Sequence, residues 1–190
     1  MTQKVTALVG LSGVGKTSVL STLSAKREFQ HLSASRLIKD ARRLWDMPGG
    51  LDTLRSANIG ENQRLLIEGF RRAIDSKAAH VVLDGHTVVE APSGLIVIEP
   101  TVFRELQIAS MIFLADNAVE IARRRANDIT RSRAVATLEG IQRNQEAALV
   151  AAFQTCIELK IPLTVVTVDQ IDHLEGVLFG TPSSSDVADP

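Results

Sequence analysis

One segment restricts this chain more than any other: Gly10-Leu11-Ser12-Gly13-Val14-Gly15-Lys16-Thr17. It matches the pattern G-x-x-x-x-G-K-[ST]. An apolar run, Val5-Thr6-Ala7-Leu8-Val9, precedes it, and Val19, Leu20 and Leu23 follow on one helical face. Strand, glycine loop, helix is the order in which backbone N–H groups curl inward around phosphate oxygens, because glycines tolerate the angles that this needs. The start of the following helix adds partial positive charge at the same point. In this pattern the lysine neutralises the β- and γ-phosphates and the threonine hydroxyl ligates Mg²⁺. The segment therefore points to ATP, held by Gly10, Ser12, Gly13, Val14, Gly15, Lys16, Thr17 and Ser18. Gly13 adds compliance, and the loop is expected to be exposed, with Lys16 outside the core.

The rest of the chain alternates between the two regular periods. Strands are predicted at Phe29 to Leu32, His80 to Asp84, Ile108 to Leu114 and Leu163 to Val168. Helices are predicted from Ser33 to Trp45 with Ser33 as cap, Gly60 to Ser76, a segment capped by Asp116 that carries Val119 and Ala122, Thr137 to Leu159, and Ile171 to Phe179. Met47-Pro48-Gly49-Gly50 reads as a loop, and Gly85 to Pro100 as a loop or a small hairpin turning at Pro92-Ser93-Gly94. Strands that alternate with helices imply an α/β fold, a parallel sheet with helices on both faces, and ligands beyond the carboxyl ends of the strands. Gly10, Asp84 and Asp116 all fall at such ends.

Composition bounds the function. The 190 residues are 45% hydrophobic and 23% charged with a formal net charge of −1, so no global field points to nucleic acid or to an anionic membrane. Cys156 is the one cysteine, which rules out an internal disulfide framework. It lies on an apolar helical face, and Trp45 lies near a helix end; both are taken as structural. The first apolar run is a strand's length, unlike a signal peptide, and no run approaches the roughly 20 apolar residues of a membrane helix. The expectation is a single cytoplasmic domain over residues 1–180 with a disordered polar tail over 181–190.

Two further groups carry chemistry. A nucleotide site needs a carboxylate near Mg²⁺ at the end of a strand beside the first one, directly or through water. Asp84 fits, although an aspartate before Gly85 also starts turns. His86 is a catalytic candidate or a structural histidine, and with no Cys or second His at ligand spacing it is a poor metal ligand. Arg123, Arg124, Arg125, Arg131 and Arg133 fall within a short stretch around a polar break, as in a mobile lid. Arginines in a closing loop stabilise the charge that develops on a transferring phosphoryl group; the competing reading is a solvated face. No aromatics interleave with them, which disfavours a nucleic-acid surface.

These residues resemble the archaeal-type adenylate kinases and the related eukaryotic nuclear group. The resemblance rests on the phosphate loop, on Val82-Leu83-Asp84-Gly85-His86, which looks like a D-x-H motif, and on Arg124-Arg125-Ala126-Asn127-Asp128-Ile129-Thr130-Arg131-Ser132-Arg133, followed by Ile141 and Gln145. The last looks like a lid segment R-R-x-x-D-x-T-R-x-R. The resemblance implies a three-layer P-loop kinase fold with a five-stranded parallel sheet, an acceptor-binding arm over 33–76 and a lid over 126–136. It implies ATP + NMP ⇌ ADP + NDP, with AMP the leading acceptor. Lys16 and Thr17 would serve ATP and Mg²⁺, Asp84 the metal or its waters, and Arg124, Arg131 and Arg133 the phosphates, with His86 near the transferring group. Arg36, Lys39, Arg55, Asn62, Gln63 and Arg64 are candidate acceptor contacts, and none sits in a family pattern. The D-G-F-P-R run of bacterial-type enzymes is absent, since His86-Thr87-Val88 follows Asp84-Gly85.

Two alternatives stay open. One is a kinase of another small acceptor, which would share every ATP-side residue. The other is a regulatory ATPase acting through a protein partner. No N-K-x-D-type run reads guanine, and nothing in the sequence fixes an oligomeric state.

Overall fold

The run Val5 to Val9 is buried residue by residue because it forms the middle of a sheet. Strand β1 (Lys4–Val9) pairs in parallel with β3 (His80–Asp84) on one side and β6 (Ser110–Ala115) on the other. β2 (Gln30–Ser33) adds beside β3, and β7 (Leu163–Thr167) beside β6, giving a five-stranded parallel sheet in the order β2-β3-β1-β6-β7. The computed structural model describes residues 3–45, 59–128 and 136–180. The expected three-layer α/β architecture is the one observed.

The pleat divides the core in two. Val5, Ala7 and Val9 face one cluster and Leu8 the other, since alternate strand residues point to opposite faces. The first cluster is closed by Leu37 of α2 (Ala34–Leu44), Phe70 of α3 (Ile59–Ala73), and Ala148, Ala151, Ala152 and Cys156 of α6 (Leu138–Leu159). The second is closed by Val19, Leu20 and Leu23 of α1 (Lys16–Ser24), Ile121 of α5 (Ala118–Asn127), and Leu174 and Leu178 of α7 (Ile171–Phe179). Each fully buried Leu, Ile, Val or Phe stabilises by about 1.5–3 kcal/mol relative to exposure, so both layers contribute. α2 and α3 approach closely at Gly69, where a Cβ would lie 2.8 Å from the Leu37 carbonyl oxygen.

The stretch from Gly85 to Pro100 resolves as a hairpin, β4 (Val88–Ala91) and β5 (Gly94–Val97), with Ala91 opposite Gly94 across Pro92-Ser93. Thr87 fastens its base to α6 by donating to the Ala148 carbonyl at 2.7 Å. A short helix, α4 (Pro100–Glu105), was not expected; Pro100 marks its start rather than a break, because the first helical turn needs no proline N–H.

Several boundaries differ from the expectations. Asn117, not Asp116, caps α5, its side chain accepting from Glu120 N at 2.9 Å. Ser33 precedes α2 but makes no side-chain cap, since its hydroxyl sits 3.2 Å from that of Ser35. α3 ends at Ala73, short of Ser76. α5 runs on to Asn127, so the first residues assigned to a lid are helical. Trp45 does lie at the end of α2, as expected, where it is 58% exposed and donates to Glu68. The loop at 47–50, most of the proposed lid and the tail 181–190 lie outside the described residues. Among the described residues no helix is long and apolar enough to cross a membrane.

Burial in the first cluster pushes the Cys156 thiol up to about 11. At pH 8 the thiol is therefore almost wholly protonated and shielded. Iodoacetamide is expected to modify native Cys156 at least tenfold more slowly than the unfolded chain, with modification rising along the denaturation curve. Equal rates, read by intact mass, would contradict its placement.

Candidate functional site

The site forms where β1, β3 and β6 end. β1 runs out of the sheet at Val9, and Gly10 turns the chain across the end of β6. Its φ is +155°, and a Cβ there would come within 2.5 Å of the Leu114 carbonyl oxygen, so only glycine fits without moving β6. β3 ends at Asp84, and Gly85 N donates to Leu8 O at 3.1 Å, carrying the strand alignment one residue further. His86 lies immediately beyond.

Lys16 departs from expectation. It is only 6% exposed, because its stem is covered at the loop's base and its ammonium turns inward. Nζ donates to Gly10 O at 3.0 Å and Leu11 O at 3.4 Å, and stands 4.0 Å from Asp84 Oδ1. Burying a charge demands such partners. His86 Nδ1 lies 2.8 Å from the same Gly10 oxygen. A carbonyl only accepts, so Nδ1 carries the hydrogen, and its 3.5 Å separation from Lys16 Nζ is proximity rather than a bond.

The three consecutive arginines separate by helical rotation. Arg123 points outward to Glu120, whose hydrogen bond raises its pKa further. Arg124 donates to Val14 O at 3.0 Å and to Asp116 Oδ2. Arg125 donates from Nε to Ser12 O at 2.8 Å and grips both oxygens of Glu90, at 3.2 and 2.8 Å. Asn144 also donates to Glu90, at 2.9 Å. Gln145 exchanges two hydrogen bonds with the Asp116 backbone, tying α6 to the end of β6.

One cavity of about 390 Å³ opens onto these groups. Its phosphate-loop end holds Ser12, Gly13, Lys16, Thr17, Asp84 and Arg124. The other end is walled by α2, α3 and the hairpin. There Ser33, Ser35, Asn62 and Gln63 supply neutral polar groups, and Ile38, Leu66 and Phe103 an apolar surface. Of the sequence candidates, Lys16, Thr17, Asp84, His86, Arg124, Asn62 and Gln63 come together. Val14 is fully buried and off the cavity wall, its N–H donating to Leu11 O at 3.2 Å and its carbonyl accepting from Arg124, and Ser18 is exposed. Arg36 and Arg64 are exposed and, with Lys39, stay off the cavity wall. Arg55, Arg131 and Arg133 lie outside the described residues.

The Thr17 hydroxyl and the Asp84 carboxylate face one cavity as hard oxygen donors, a set suited to Mg²⁺ that keeps part of its water shell. Among the described residues no cluster of three or more His, Cys, Asp or Glu competes for a metal. Glu90, Asn144, Arg42 and the structural use of Arg125 were missed from sequence. Arg42 is 4% exposed between α2 and α3 and donates to Asn62 Oδ1 at 3.0 Å. Arg42 and Glu90 sit in no motif, and only the adjacency of Arg125 to Arg124 offered a signal.

A family model described as an AAA domain matches residues 9–142. The chain is 26% identical over 149 residues to an adenylate kinase of Thermoplasma acidophilum, covering 77% of this chain and 80% of that one. It is 26% identical over 167 residues to an adenylate kinase of Methanothermobacter thermautotrophicus, covering 83% and 89%. A gluconokinase structure from Sinorhizobium meliloti 1021 superimposes with a TM-score of 0.51 at 14% identity, covering 93% and 90%, a likeness of fold. The resemblance read from the motifs is borne out.

Gly13 has φ +88°, and a Cβ there would meet Arg125 Cγ at 2.8 Å. Gly13→Ala is expected to lower unfolding free energy by about 1–3 kcal/mol. Arg125→Ala in the same chain should return part of that loss by removing the clash. Urea denaturation of both variants checks this, and an unperturbed Gly13→Ala would refute the packing.

Proposed function

We propose, from the premise that the chain belongs to the AAA domain family and is a P-loop phosphotransferase similar to adenylate kinases, that it transfers the γ-phosphoryl group of ATP to a nucleoside monophosphate, AMP first. The observation that carries this is one continuous cavity. It runs from the phosphate loop to a wall of α2, α3 and the hairpin, so donor and acceptor can meet in one chamber.

In this reading residues 1–180 form one kinase domain, 33–76 the acceptor arm and 126–136 the lid. The loop amides from Gly10 to Ser18 cradle the β- and γ-phosphates, and Lys16 moves its ammonium from the Gly10 and Leu11 carbonyls onto them. Thr17 and Asp84 would hold Mg²⁺, directly or through water, and the ion when bound neutralises developing phosphate charge. An oxygen of the acceptor phosphate bonds to the γ-phosphorus as the bond to the β–γ bridging oxygen breaks, leaving ADP and NDP. Arg124, Arg131 and Arg133 stabilise the charge that spreads over the equatorial oxygens. His86 holds the Gly10 carbonyl through Nδ1–H and so keeps the loop's entry in place beside the reacting groups.

A second reading, a kinase of a small neutral acceptor, is favoured by one observation: the α2 and α3 residues lining the cavity are all neutral.

A coupled assay with ATP and each of the four common NMPs tests the proposal. ADP formation is expected to exceed the acceptor-free rate with AMP at least, and no increase with any NMP would sink it. Lys16→Ala should lose at least about 100-fold in kcat/KM. Arg131→Ala should lower kcat by about 10- to 1,000-fold with less change in ATP KM, as expected of a group that acts in the transition state. An unchanged kcat would return Arg131 to a solvated surface.

A further inference from the structure

Arg125 has a role that the transfer reaction does not assign. Its side chain is 10% exposed, and it is absent from the cavity wall although its neighbour Arg124 lines it. Its stem passes beneath Gly13, its Nε holds the Ser12 carbonyl, and its two terminal nitrogens hold both oxygens of Glu90 on β4. Asn144 of α6 fixes that carboxylate from a second side. A buried guanidinium paired in a fork has a defined plane, so Glu90 decides which of its donors faces the loop.

The Ser12–Gly13 peptide is trans, and a planar trans peptide points its N–H opposite to its C=O. A guanidinium that fixes the Ser12 carbonyl thereby fixes the Gly13 N–H on the other side. Ser12 and Gly13 border the cavity and Arg125 does not, so the fixed amide is aimed away from Arg125.

We propose that Arg125 and Glu90 form a positioning pair that presets the phosphate loop for ATP from behind, with Arg125 itself making no contact with the nucleotide. The pair concerns ATP alone and holds whichever acceptor is used. It also links the loop to the hairpin that walls the far end of the cavity, so the β4 backbone and the phosphate loop are one mechanical unit.

The test is equilibrium binding of MgATP to the full chain, compared among wild type, Glu90→Gln, Arg125→Lys and the double variant, with thermal unfolding of each nucleotide-free protein alongside. Glu90→Gln keeps the size of the side chain and removes its charge. It is expected to raise the Kd for MgATP about tenfold, although Glu90 borders the cavity and loss of its negative charge would by itself favour an anion there. Arg125→Lys keeps the charge but loses the fork, with a similar expected rise. The double variant should be no more than about threefold weaker than the worse single one, against about tenfold weaker than it if the two residues acted independently. Unfolding midpoints that stay together while Kd rises separate positioning from general destabilisation. An unchanged Kd in Glu90→Gln, additive losses in the double variant, or a Kd that follows the unfolding midpoint overturns the proposal. Tighter binding in Glu90→Gln also overturns it, since Glu90 borders the cavity and its charge would then be acting on the nucleotide directly rather than through Arg125. Where Arg125→Lys does not fold, Glu90→Gln decides alone.

Discussion

The buried ammonium of Lys16 is the feature on which the rest of the structure depends. It is held by the Gly10 and Leu11 carbonyls and stands near Asp84, groups delivered by the ends of two different strands. Those ends meet because β1 and β3 are in register, with Leu8 opposite Asp84. A slip of one residue would turn Asp84 to the other face of the sheet and leave the ammonium facing apolar side chains. The two apolar layers that lock the register therefore also hold the charge arrangement of the site.

The loop is fixed from outside as much as from within. Its carbonyls, which face away from phosphate in this kind of loop, are taken up in turn: Gly10 O by Lys16 and His86, Ser12 O by Arg125, and Val14 O by Arg124. Arg124 and Arg125 in turn are anchored by Asp116 and Glu90, and those by Gln145 and Asn144 of α6. One long helix thus supports the loop through two relays. This accounts for α6 being packed by small residues, Ala148, Ala151 and Ala152, which let it lie close to the sheet.

Much of this was legible in the sequence. The parallel strands announced themselves as apolar runs, because both of their faces are covered, and the phosphate loop by glycines whose spacing few other structures need. Asp84, His86 and Arg124 were placed at the site by their positions after strands or in the motif. Other features had no local signal. α4 is too short to show a period, and Asn117 and Asp116 are equivalent as caps until Arg124 claims the carboxylate. Arg36, Lys39 and Arg64 looked suited to the acceptor by residue type, but rotation about their helices carries them off the cavity wall, while Asn62 and Gln63 reach it. Lys16 was expected in the open because loops usually are; the strands closing around it bury it.

The sequence by itself determined the α/β class, the strand-loop-helix that binds ATP, and the kind of chemistry at the sheet's edge, since each of these is written in local periodicity or in a contiguous motif. Only the tertiary structure decided which arginine faces the cavity and which braces the loop. Adjacent helical residues differ by about 100° in direction. Their partners, Asp116 just beyond β6 and Glu90 on β4, are far apart in sequence, and no local pattern records which carboxylate folding will bring within reach of which guanidinium.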